Sequence, residues 1–284
     1  MTIAITGASG QLGRLVADQL LAAVDPSEVV LLTRDPARLA DLAERGATVR
    51  AADFGQPESL PDALAGVDRM LLISTDLVGA RLEGHRAAID AAARAGVQHV
   101  AYTSIPEPTQ DNPSGVVPDH AATEQALRDS GLAWTMLRNN LYAEMQVGTV
   151  EQAAASGQLF TNTGDGGAAY VTRADCAAVA VGVLTGEGHE GREYDVTGPS
   201  AVTAADQAAL ATKLAGRPVD VIDVDDETYA GGLVAAGVPE AFAPLLVSFG
   251  ASIRLGKLER VTDVVERVGG RKPTALEDLV TVQG

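Results

Sequence analysis

The chain opens Thr2-Ile3-Ala4-Ile5-Thr6-Gly7-Ala8-Ser9-Gly10-Gln11-Leu12-Gly13, and this stretch decides the fold. Thr2 to Thr6 is a β-branched run with apolar alternation, the pattern of a buried strand. A glycine-rich turn follows, and then Leu15, Val16, Leu20 and Leu21 recur at helical spacing. Strand, glycine-rich turn and helix start, in that order, are what a dinucleotide-binding α/β unit requires. Gly7 permits the sharp turn out of the strand, Gly10 leaves room for a pyrophosphate, and Gly13 lets the helix pack closely on the sheet. The free N–H groups at the helix start, carrying about half a positive charge from the helix dipole, face the phosphates.

Outward from this unit, strand and helix patterns keep alternating. Val29 to Thr33, Thr48 to Ala52, Met70 to Ile73, Gln98 to Thr103 and Trp134 to Arg138 read as strands. Between them, Pro36 to Arg45, Pro57 to Ala65, Arg81 to Ala95 and Asp119 to Asp129 read as helices, with Gly46 and Gly96 as stop signals. The continuous apolar run Met70-Leu71-Leu72-Ile73 is typical of a parallel sheet covered on both faces. Repeated βα units predict an α/β protein with a Rossmann-type, doubly wound parallel sheet.

Beyond about residue 143 the regularity fades. Val147 to Ser156 reads as a helix, Gly164 to Gly167 as a loop, and Thr172-Arg173-Ala174-Asp175 as the capping-box start of another helix. Tyr194-Asp195-Val196 is read as a strand returning to the sheet near 193–197, and 219–224 as a further strand. The expected division is a dinucleotide-binding domain over 1–155 and a smaller, interleaved C-terminal α/β lobe over 156–284 on the substrate side. The apolar stretch Phe242 to Ile253 is read as a lid or a dimer face, so monomer and homodimer both stay open.

Composition narrows the classes. Of 284 residues 46% are hydrophobic, a globular composition with ample material for a core. No apolar run approaches the ~18 residues a bilayer span needs, and Met1 leads directly into the first strand without a basic leader. Cys176 is the only cysteine, so no internal disulfide is expected and a cytoplasmic setting fits. With 21 basic against 38 acidic residues, the net charge of −17 repels nucleic acids and anionic membranes. The histidines and the lone cysteine show no metal-ligand spacing, and there is no GxSxG elbow.

The second strand ends in Thr33-Arg34, where an NAD-specific site would place an acidic residue about twenty positions past the glycines. Arg34 can grip a 2′-phosphate bidentately and stack on adenine. A charge-assisted bond there corresponds to roughly ten- to a hundredfold preference for NADP(H), with NAD(H) as the lesser alternative. Arg38 can add to this grip, and the adjacent Asp35 can blunt it.

These motifs, taken together, resemble a known family. AITGASGQLG, DLVGARLEGHRAAIDAAARAGVQHVAYTS, DHAATEQALRDSGLAWTMLRNNLYAE and GDGGAAYVTRADCA are similar to segments of the NmrA-like atypical short-chain dehydrogenases, in the branch of quinone and triphenylmethane-dye reductases. The GxxGxxG spacing is the variant used by extended and atypical members. The resemblance implies that Gly7, Ala8, Ser9, Gly10, Gln11 and Leu12 cradle the pyrophosphate and Arg34 the 2′-phosphate. It implies that Ser74, Thr75 and Asp76 line the ribose and nicotinamide side. Arg138, Asn139, Asn140, Leu141, Tyr142 and Ala143 would wall the nicotinamide, with Tyr170 nearby or else simply a partly buried aromatic. Asn140 and Leu141 stand where the quinone reductases carry Gly-Trp, a change that would reshape the acceptor pocket.

The chemistry that is missing narrows the reaction. Ordinary short-chain dehydrogenases protonate an alkoxide with a Tyr-x-x-x-Lys pair, and neither Tyr102 nor Tyr142 has Lys four residues on. His120 and Glu124 replace that pair on one helix face. His120 is the candidate proton donor or hydrogen-bond donor to the acceptor, the alternative being an exposed histidine paired with Glu124. Tyr142 is the candidate that orients the acceptor. Quinones accept hydride readily and give a phenolic product, so positioning can carry catalysis. The sequence therefore predicts NADPH-dependent hydride transfer to a quinone or a similar flat, conjugated acceptor. The alternatives are an NADP(H)-binding sensor without turnover, or a reductase of triarylmethane dyes.

Overall fold

The protein is described by a computed structural model over residues 1–281. The first half runs β1 (Ile3–Ile5), α1 (Gln11–Ala23), β2 (Val29–Thr33), α2 (Ala40–Glu44), β3 (Thr48–Ala51) and α3 (Leu60–Ala63). It continues through β4 (Arg69–Leu72), α4 (Arg81–Ala95), β5 (His99–Ser104), α5 (Val117–Asp129) and β6 (Ala133–Asn139). The second half runs α6 (Glu144–Ser156), β7 (Gln158–Thr161), β8 (Gly167–Ala168), α7 (Arg173–Thr185), β9 (Arg192–Val196) and β10 (Val202–Thr203). It ends with α8 (Ala204–Ala215), β11 (Asp220–Asp223), α9 (Asp226–Ala235), α10 (Ala243–Arg254), α11 (Val264–Arg267) and α12 (Leu276–Thr281).

Seven strands form one parallel sheet in the order β3-β2-β1-β4-β5-β6-β9. Strand order runs outward in opposite directions from the β1–β4 pair, where Ile3 faces both Val29 and Arg69 in register. This is the switch point whose carboxyl-end crevice binds ligands in open α/β sheets. The returning strand expected near 193–197 is β9, paired with β6 through Leu137 and Tyr194. Alternate residues feed the two faces, as the period of two requires. Ile3, Ile5, Leu31, Leu71 and Leu137 pack against α1 and α7. Ala4, Val30, Leu32, Met70, Leu72 and Tyr102 pack against α3, α4 and α5.

A third apolar cluster, including Val150, Leu159, Tyr170, Ala208, Ile253 and Leu258, is built from residues after β6. Two small sheets accompany it: β7 pairs parallel with β11, and β8 antiparallel with β10. The sequence reading missed β7 and placed Gly167 in a loop, because strands of four and two residues are too short for a period to show. At α7 the Thr172 hydroxyl accepts from the Asp175 N–H at 3.0 Å. The expected box is only half formed, since the Asp175 carboxylate instead accepts from the Thr274 N–H and pairs with Arg271. The reciprocal box lies at Thr203 and Asp206. Within the apolar 242–253 stretch, Leu245 and Phe249 of α10 rest on Ile105, Val116 and Val117. Among the described residues no helix is long and apolar enough to cross a membrane.

Candidate active site

The crevice begins at the turn after β1. Gly7 has a φ of +61°, a conformation that favours glycine, and its carbonyl accepts from the Gly10 N–H at 2.9 Å. A Cβ built on Gly13 would stand 2.3 Å from that carbonyl oxygen, so only glycine brings α1 this close. Gly10 caps α1 without a side-chain hydrogen bond, and the first turn holds no acidic residue. The opening amides of α1 are therefore unopposed, as an anion site needs. Ala8 and Leu12 turn their side chains into the core, leaving Gly10 and Gln11 at the surface. Ser9 reaches the end of β2 through a 3.0 Å bond to the Thr33 hydroxyl.

At that strand end Arg34 is exposed, and its guanidinium bonds to no other residue among those described. Asp35 turns back on its own chain, its carboxylate accepting from the Ala37 N–H at 3.1 Å. The carboxylate that can oppose a 2′-phosphate is thus engaged in capping the next turn.

Beyond β4, the Ser74 N–H donates to the Thr103 hydroxyl at 2.8 Å and the Thr75 N–H to His85 Nε2 at 3.2 Å. Among the described residues, the buried Thr75 hydroxyl has no hydrogen-bond partner, nor has Oδ1 of Asn139 at the end of β6. These are orphan polar atoms at two strand carboxyl ends of the sheet. The glycine cradle, the unopposed amides, the free Arg34 and these two atoms fit a dinucleotide with an adenosine 2′-phosphate. Asn140 serves the fold, its Nδ2 donating to the Leu258 carbonyl at 2.9 Å while Oδ1 accepts from the Leu141 N–H. Ala143 is buried, and its N–H donates to the Val171 carbonyl. The Tyr142 ring lies under the Arg173 guanidinium, 4.3 Å from its centroid, and burial pushes its phenol up. Tyr170 sits in the core of the C-terminal cluster, and burial pushes its phenol up as well.

Two of the expected site residues lie in buried polar networks. His120 is only 6% exposed, with Nδ1 2.8 Å from the Tyr102 hydroxyl and Nε2 3.0 Å from Arg81 Nη1. Arginine has donors only, so Nε2 must accept, and Nδ1–H donates to Tyr102. Burial, reinforced by Arg81, lowers its pKa to about 3. The ring is neutral, with one nitrogen engaged by Tyr102 and the other by Arg81. Nor is it paired with Glu124, which is 1% exposed and accepts from Arg138, Arg128 and Ser104. Burial pushes the Glu124 carboxyl up, and those donors together hold it below its ordinary value.

Arg138 is the second of these residues. Its guanidinium binds Glu124 and Glu193, both at 2.8 Å, on the sheet face covered by α5. It borders a polar cavity of about 420 Å³ that also meets Glu107, Arg128, Asp195 and Arg260. The sequence reading missed His85, Arg81 and Asp119, which hold the segment after β4. The available signal was His85 itself, one turn from Ala88 and Ile89 on the apolar face of α4.

Switch-point crevice, glycine cradle and free basic strand end define a dinucleotide-binding α/β protein. The profile of the NAD(P)H-binding family matches residues 7–187. Quinone oxidoreductase 2 of Escherichia coli is 38% identical over 98% of this chain and 97% of its own length. The structure of the E. coli NADPH-dependent quinone oxidoreductase complexed with NADPH superposes with a TM-score of 0.95, covering 99% of both chains. Triphenylmethane reductase of Citrobacter sp., complexed with NADP(H), is 35% identical with a TM-score of 0.91, again over 99% of both chains. The chain belongs to the NAD(P)H-binding family, among its NmrA-like oxidoreductases, and is an NAD(P)H-dependent oxidoreductase.

Proposed function

We propose that the protein transfers hydride directly from NADPH to a quinone or a similarly electrophilic, flat, conjugated acceptor. The observation that carries this reading is the closed network around His120. Its two nitrogens are bonded to Tyr102 and Arg81, and burial pushes the Tyr102 phenol up. The site that would hold a proton donor for an alkoxide is thus sealed in the core. An acceptor that yields a phenolic oxygen needs no such donor, because that oxygen is far less basic than an alkoxide. Bound NADPH supplies the hydride. The chain supplies the phosphate cradle and Arg34 to fix the cofactor, and the Asn139–Ala143 wall with Tyr142 to orient the acceptor.

Residues 156–284 act as the substrate-side lobe in this reading, and the buried single thiol Cys176 suits a reducing cytoplasm. Likeness to the quinone oxidoreductase and to the triphenylmethane reductase supports the acceptor class, since their names give a quinone and a triphenylmethane as what they act on. The test is NADPH consumption by purified protein with benzo- and naphthoquinones, a triarylmethane dye and a simple ketone, with NADH alongside. Turnover of quinone without turnover of ketone supports the proposal. NADPH binding without reduction of any acceptor transfers the protein to the sensor reading.

A further inference from the structure

The segment joining β4 to α4 is held by four side chains, from the turn after β1, from β5, from α4 itself and from α5. The Ile73 N–H donates to Thr6 Oγ1 at 2.9 Å, Ser74 N–H to Thr103 Oγ1 at 2.8 Å, Thr75 N–H to His85 Nε2 at 3.2 Å and Gly79 N–H to Asp119 Oδ2 at 2.6 Å. Three of these acceptors are oxygens. The fourth works in one state only, since an imidazole nitrogen accepts a hydrogen bond only when it carries no proton.

The surroundings of His85 select that state. A backbone N–H is a donor, so Nε2 is bare and Nδ1 bears the proton, donating to Thr123 Oγ1 at 3.0 Å. Thr123 in turn donates to the Asp119 carbonyl at 2.8 Å. The ring is 0% exposed and stands edge-on to Phe54 and Tyr102, with centroids 6.2 and 5.6 Å away. Burial and the nearby Arg81 hold its pKa down at about 4. Two groups of the turn so fixed make no hydrogen bond among the described residues: the buried Thr75 hydroxyl and the exposed Asp76 carboxylate.

We propose that His85 is a positioning residue for the cofactor: its Nε2 holds the Thr75 amide so that the Thr75–Asp76 turn serves the ribose and nicotinamide half of NADP(H), and Thr123 selects the tautomer that makes this possible. The proposal rests on dinucleotide binding in the crevice and not on the identity of the acceptor. No proton is transferred, and His85 touches neither cofactor nor acceptor.

The test measures NADPH and NADP⁺ binding by calorimetry and the His85 tautomer by ¹⁵N NMR. Wild-type protein should show the Nδ1–H tautomer. His85→Phe keeps an aromatic ring without an acceptor and should weaken NADPH about tenfold, the loss of one positioning bond. His85→Gln returns an acceptor at similar reach and should restore affinity to within about threefold of wild type on the same scale. Thr123→Val should shift the tautomer signature and weaken NADPH severalfold. Wild-type affinity in a folded His85→Phe, or an Nε2–H tautomer in the wild type, overturns the proposal. If His85→Phe does not fold, Thr123→Val decides: a shifted tautomer with unchanged affinity overturns it. Failure to reduce quinones leaves these binding results standing and overturns only the acceptor reading.

Discussion

Arg81 donates to Nε2 of His120 at 3.0 Å, and that contact fixes the chemical state of the histidine. A cation that can only donate forces the ring to accept on one side, so its single proton is committed to Tyr102 on the other. His120, which its spacing with Glu124 marks as a candidate acid, thereby links α5 to α4 and β5.

His120→Ala should keep quinone turnover within about threefold of wild type while lowering stability by about 2 kcal/mol, the cost of leaving buried polar partners unmet. Steady-state kinetics and thermal unfolding on the same preparation check this. A loss of turnover by a hundredfold with unchanged stability would restore His120 as a catalytic group.

The buried histidines set an acid limit to stability. The pKa is lowered to about 3 in His120 and about 4 in both His85 and His99, with burial the main cause. The unfolded chain therefore binds protons below about pH 6.5 that the folded chain refuses, and stability rises with pH across this window. The contribution is complete above the unfolded value and is lost on acidification, at up to about 2 kcal/mol per histidine by pH 5. Denaturant unfolding from pH 7.5 to 5 should show this decline before the carboxylates titrate. A flat profile would contradict the buried neutral assignment.

Arg138→Ala should leave Glu124 buried with Arg128 as its remaining cation among the described residues. Stripping one partner from a buried ion pair costs about 3 kcal/mol or more. Unfolding should register that loss while NADPH affinity stays within about twofold by calorimetry. A selective loss of affinity with intact stability would return Arg138 to the cofactor site.

Arg34→Gln should lower NADPH affinity about ten- to a hundredfold and leave NADH nearly unchanged, because only NADPH carries the 2′-phosphate. Gly13→Ala should weaken both cofactors alike and cost about 1–3 kcal/mol, since its Cβ would meet the Gly7 carbonyl oxygen at 2.3 Å. Paired titrations with the two cofactors distinguish the residues. Equal losses in Arg34→Gln would contradict its role as the phosphate clamp.

The central sheet was legible because each inner strand is a short apolar run between turn signals, and Val29 to Thr33 is buried throughout. The cradle was legible because glycine at 7 and 13 has geometric causes visible in the motif. What stayed hidden was lateral. Helical spacing puts His120 and Glu124 on one face, but it does not reveal that the face is sealed by Tyr102, Arg81 and Arg138. Strand alternation held an unused clue at β6. Leu137 packs with one face and Trp134 and Met136 with the other, so Arg138 and Asn139 point to opposite sides of the sheet. The short β7 and β8 pair with partners distant in sequence, which no local pattern encodes.

The most direct measurement follows NADPH and NADPH deuterated at the nicotinamide C4, each oxidised by a naphthoquinone with flavin-free wild-type protein and with His120→Ala. Turnover by both proteins is expected, with primary deuterium isotope effects of similar size in the two. Tight NADPH binding with no oxidation by quinone, or turnover that disappears with His120 in a folded protein, would contradict it.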